Sequence, residues 1–182
     1  MKRNYFNAVL IISLLLGVTS AVLLQQSSNS MKLAAALTGL SGYLFLGYAR
    51  DKSVTLSNMS QVKMELNVSS ELFELMILGS LLATPMIPQR LGIAVLASVT
   101  FLKIFIEEAG NQMNTDLTGK LGQNYRIYTV LTATALSILN TQYVYLSAYV
   151  LLGIILYDLG QILYQFYDNK QGIKLKNRIL SK

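Results

Sequence analysis

Ionisable side chains set in or beside apolar runs are the residues of this sequence that could do chemistry, because burying a charge costs several kcal/mol unless it is paired or wet. The densest group is Lys63, Asn67, Glu71 and Glu74, spaced i, i+4, i+8 and i+11. On a helix that spacing makes one polar stripe. Two carboxylates and an amide on one face could hold a hard divalent cation; the same stripe could equally be a solvated face. Lys103, Glu107 and Glu108 form a second group. Lys103 and Glu107, four apart, predict a local ion pair or a wall of the same cavity. Arg126 opens a later run beside Gln123, Asn124 and Tyr125. Its guanidinium could grip phosphate bidentately or anchor a helix to lipid headgroups. Asp158 stands among Tyr157, Gln161, Tyr164 and Gln165, a polar face suited to interhelical hydrogen bonding or to an ion relay.

The missing residue types narrow the chemistry. The chain has no Cys and no His, which removes disulfides, thiolate nucleophiles, imidazole bases and Cys/His zinc sites. Any metal would need oxygen ligands, as Mg²⁺, Mn²⁺ and Ca²⁺ prefer. The net charge of +6 comes without a basic stripe interleaved with aromatics, so no nucleic-acid partner is expected. Basic loops meeting anionic headgroups account for it better.

Of the 182 residues, 53% are hydrophobic and 13% charged, with a mean hydropathy of +0.45. Soluble domains carry about 25% charged residues. This balance predicts an all-α, polytopic integral membrane bundle of six spans, forming a single membrane domain over 1–182. The apolar runs place the spans near 6–24, 33–49, 64–84, 91–107, 124–139 and 143–166, with a basic tail over 168–182. The first run also admits a signal-peptide reading, but no clear cleavage site follows it. Gly39, Gly42 and Gly47 along the second run predict close helix approach. The third run is short unless its helix begins near Lys63, and Pro85 and Pro88 end it. Lys and Arg collect at the N-terminus, in the Arg50–Ser70 and Gly110–Lys120 loops and in the tail, leaving Lys32 and Arg90 on the other side. That asymmetry predicts a multi-pass cell-membrane protein with both termini cytoplasmic.

This layout resembles the CDP-alcohol phosphotransferase family, whose signature is D-x2-D-G-x2-A-R-x8-G-x3-D-x3-D. Leu66-Asn67-Val68-Ser69-Ser70-Glu71 is similar to its second D-x3-D, with Asn67 and Glu71 at the acidic positions. Gly47-Tyr48-Ala49-Arg50-Asp51 is loosely similar to its G-x-x-A-R segment. Phe101 to Gly110 looks like its fourth-span end, and Gly119 to Arg126 like its basic loop. The sequence departs from the signature at all four aspartates, and only Glu71 keeps a carboxylate there. The resemblance implies Mg²⁺ or Mn²⁺ held by Asn67, Glu71, Glu74 and Asp51. It further implies Glu71 as catalytic base, Lys63, Lys103 and Arg126 as substrate contacts, and a CDP-linked lipid or alcohol as substrate with CMP released.

The leading expectation is therefore a phospholipid-metabolism protein of this type, degenerate at its metal site and active or inactive. The alternatives are a non-catalytic membrane scaffold or lipid-binding subunit, and a small transporter using Asp158 or Glu107. Membrane lipids and a second copy of the chain are the further partners to consider.

Overall fold

The computed structural model describes residues 3–26, 28–53, 59–113 and 122–180, the side chains of 59, 111–113 and 169–180 excepted. Six helices follow in order: α1 (Arg3–Leu24), α2 (Asn29–Ser53), α3 (Met59–Leu82), α4 (Gln89–Met113), α5 (Gly122–Leu136) and α6 (Gln142–Leu180). The third helix begins at Met59, four residues before Lys63. The segment 114–121, with Lys120, and the side chains of the tail residues Lys170, Lys174, Lys176 and Arg178 lie outside the described residues, as does Lys182.

Local chemistry sets the helix ends. The Ser28 carbonyl accepts the first turn of α2 through Lys32 N, and the Pro88 carbonyl accepts from Leu91 N and Gly92 N at the start of α4. Before α6, the Asn140 side chain accepts from Gln142 N at 2.9 Å. Gly122 opens α5 at φ +58°, a backbone state that a side chain would disfavour.

Short connections send successive helices in alternating directions. α1 therefore runs parallel to α3, which Arg3–Glu65 ties at one end (2.8 Å) and Ser80 Oγ to the Ala21 carbonyl at the other (2.7 Å). α3 packs on α1, α2, α4 and α5, while α6 closes against α4 and α5. At the centre the fully buried Phe73 ring wedges between α1 and α2. A Cβ at Gly17 would lie 2.8 Å from Phe73 Cδ2, and one at Gly42 would lie 2.6 Å from its Cε2. Gly39 is equally closed, 2.6 Å from Leu131 Cδ2, whereas Gly47 faces open space. Two serines clip the α1–α2 pair, Ser13 Oγ donating to the Gly42 carbonyl and Ser20 Oγ to the Ala35 carbonyl.

The six-span membrane architecture is corrected by this structure to an all-α six-helix bundle with buried ion pairs. Among the described residues, only Arg3–Leu24 and Gln142–Asp168 are long and apolar enough to cross a membrane. Polar and charged residues interrupt α2, α3 and α4, and α5 has only 15 residues; several of the charges are turned inward on one another. The multi-pass placement with both termini cytoplasmic, which rested on six crossings, falls with it.

Candidate functional site

Four charged residues from four helices meet inside the bundle. Glu74 of α3 accepts from Arg126 Nε of α5 through Oε1 at 2.6 Å. Its Oε2 lies 3.1 Å from Lys103 Nζ of α4, an ion contact whose angle falls short of a hydrogen bond. Arg126 Nη1 lies 3.5 Å from Asp158 Oδ2 of α6, and that same oxygen accepts from Gly122 N at 2.9 Å. The side chains of Glu74 and Asp158 are 1% exposed, that of Arg126 6% and that of Lys103 23%. Two anions and two cations make the group neutral, the condition under which charges persist in an apolar interior.

Each member is placed by its element. α5 has 15 residues against 24 in α3 and 25 in α4. Its first turn consequently lies level with Asp158 in the middle of α6, which supplies the carboxylate that the helix N-terminus wants. One turn on, Arg126 reaches both acids. Ser70 and Gln123 hold α3 and α5 in register by reciprocal bonds: Ser70 Oγ donates to Gln123 Oε1 at 2.9 Å, and Gln123 Nε2 to the Ser70 carbonyl at 2.7 Å.

The residues of the sequence-derived stripe separate. Lys63, Asn67 and Glu71 are exposed and Glu74 is buried, because Lys103 of α4 and Arg126 of α5 cover that face of α3 at Glu74. Asp51 is exposed near the end of α2. Lys103 turns to Glu74 across the helix interface and leaves Glu107 exposed, in place of the local pair expected from their spacing. Arg126 is committed to two carboxylates. Tyr157 and Tyr164, grouped with Asp158 on sequence grounds, are exposed while Asp158 faces inward.

No group of three or more Asp, Glu, His or Cys among the described residues could hold a metal ion. Asn67, Glu71, Glu74 and Asp51 thus do not fit a Mg²⁺ or Mn²⁺ site, since bridged metals need several carboxylates in a small volume. The metal-dependent phosphatidyltransferase reading, and with it the membrane-transferase and phospholipid-biosynthesis assignment, is corrected on this ground. No known family, curated protein or solved structure matches the chain.

Sequence reasoning identified Glu74, Lys103, Arg126 and Asp158 one by one and gave them separate roles. The signal that joins them was present: two acids and two bases, one in each of four consecutive apolar runs, balance one another. Ser70 as the partner of Gln123 carried no such signal.

Two surface grooves also occur among the described residues. One, of about 450 Å³, lies at the α3–α4 turn and includes Leu82, Thr84, Pro85 and Leu96. The other, of about 320 Å³ between α5 and α6, has Tyr125, Tyr128 and Tyr143 on its walls. Tyr43 of α2 meets Tyr128 edge-on at 5.1 Å. Burial, reinforced by the neighbouring Tyr128 hydroxyl, pushes the Tyr43 phenol up to about 12.

Proposed function

We propose that this chain is a non-catalytic docking module, a helical bundle that offers apolar helix faces to an apolar partner. The observation that carries this reading is the division of its side chains. The buried charges are spent on one another, while large apolar side chains stand on the outside. On α1 these include Ile11, Leu15, Val18 and Val22, and on α2 Leu33, Leu37, Leu40 and Leu44, all between 42% and 62% exposed. Rows of exposed large apolar side chains along a helix face mark interaction sites. The close approach of α1 and α2, clipped by Ser13 and Ser20 and filled by Phe73 of α3, keeps these helix faces pre-formed, which lowers the ordering cost of binding.

A second reading has its own support. The tyrosine-walled groove between α5 and α6 could take a small apolar or aromatic molecule, with hydroxyls at its rim for orientation. One titration separates the two. An environment-sensitive apolar dye is added to the purified protein and its fluorescence followed. Docking through α1 and α2 predicts that Leu37→Lys together with Leu44→Lys removes most of the signal with helicity unchanged. If Tyr128→Ala removes it and the leucine variant does not, the groove is the binding site and the docking reading fails.

A further inference from the structure

The groove between α5 and α6 has a floor and walls. Ala133 and Ser147, 4% and 5% exposed, lie deepest in its lining. Their small side chains leave the depth, and Tyr125, Tyr128 and Tyr143, each about half exposed, stand around it. Tyr43 of α2 braces Tyr128 edge-on at 5.1 Å, so that wall is set before anything binds. The volume of about 320 Å³ is at the small end of ligand pockets and suits one ring or two fused rings.

We infer that this groove binds a neutral aromatic molecule that carries a hydrogen-bond donor, of the indole or phenol class. The inference rests on the groove reading above, names its ligand, and is independent of docking on α1 or α2. Shape is the first argument. Tyrosine rings offer flat walls, and aromatic pairs gain from offset or edge-to-face packing beyond the area they bury. Charge is the second. Between Tyr125 and Tyr157 the one charged residue of the sequence is Arg126, and it is turned into the bundle onto Glu74 and Asp158. The described lining therefore holds no charge of either sign to balance an ionic ligand, and burying an unbalanced ion is costly. Donor direction is the third. The less exposed hydroxyls of the lining, Thr129 and Ser147, already donate to the Tyr125 and Val144 carbonyls, at 2.9 Å and 2.6 Å. A hydroxyl has one proton and two lone pairs, so these two offer a ligand lone pairs only. An N–H or O–H on the ligand complements them.

The test exploits the absence of tryptophan. Indole excited on the red side of tyrosine absorption fluoresces without background from the protein. The full chain is titrated with indole, with 1-methylindole, which keeps the ring and loses the N–H, and with 1-methylquinolinium, a flat aromatic cation. Expected are saturable binding of indole, about fivefold weaker binding of 1-methylindole for the loss of one hydrogen bond, and roughly tenfold or more weaker binding of the cation. Thr129→Val with Ser147→Ala keeps the shape of the groove. It should weaken indole about fivefold and leave 1-methylindole unchanged, a difference that loosened helix packing would not produce. Equal binding of indole and 1-methylindole by the unmodified chain overturns the inference, as does equal weakening of both in the variant. Binding of 1-methylquinolinium as tight as that of indole overturns it in favour of a tyrosine cage for cations. If none of the three binds and Tyr128→Ala still removes the apolar-dye signal, the inference falls and the groove reading stands. If none binds and that variant leaves the dye signal intact, both fall.

Discussion

At Arg126 the side chain is held by one carboxylate on each flank, and that makes it the residue on which the buried charge group depends. Removing one member of a buried pair leaves an uncompensated charge, which costs about 3–5 kcal/mol. Arg126→Met exposes two carboxylates to that penalty, so it is expected to lower the urea unfolding free energy by about that amount or abolish folding. A loss below about 1 kcal/mol, typical of surface ion pairs, would show that water reaches the group. Tyr43 gives a pH-dependent prediction. Its phenol is raised from 10.0 to about 12 in the folded chain, chiefly by burial. The unfolded chain therefore releases that proton first, and the stability is complete below pH 10 and lost as pH rises from 10 to about 12. Tyr43→Phe should flatten the alkaline limb of a denaturation curve across that window. An unchanged limb would assign it to other tyrosines.

The elements differ in what holds them. α1 and α2 are joined by close backbone approach, with Phe73 of α3 filling the junction, whereas α3 to α6 are joined by charge and by the Ser70–Gln123 clamp. Gly42→Ala puts a methyl 2.6 Å from Phe73 Cε2 and 3.0 Å from the Ser13 carbonyl. Overpacking of that kind costs about 1–3 kcal/mol. Gly47→Ala, in the same helix but facing open space, is expected to gain up to about 1 kcal/mol from helix propensity. Thermal unfolding of the two variants should move in opposite directions. Parallel shifts would mean that the α1–α2 junction adjusts to the added methyl.

For the whole molecule the consequence is mass action. A partner docked on the exposed apolar row of α2 binds only the folded state, so the unfolding temperature should rise with the concentration of an apolar ligand. The unmodified chain should show that rise with the apolar dye, and Leu37→Lys with Leu44→Lys should unfold at one temperature regardless of dye concentration. A dye-independent unfolding temperature in the unmodified chain would leave the exposed row without a binding role.

Composition and periodicity by themselves determined that the chain is helical, where its six apolar runs lie, and which chemistries are closed to it for want of Cys and His. They also singled out Glu74, Lys103, Arg126 and Asp158, because a charge in an apolar run stands out in one dimension. Their pairing was decided only by the tertiary structure. Contacts between residues 29 to 52 positions apart follow from helix direction, helix length and depth in the bundle, and none of these is a property of local spacing. Glu74 shares a sequence stripe with Lys63, Asn67 and Glu71, yet it alone is enclosed, because Lys103 of α4 and Arg126 of α5 cover that face of α3 at Glu74. The expected metal site failed for the same reason: periodicity assigns side chains to a face, whereas coordination requires that faces of different helices converge on one point.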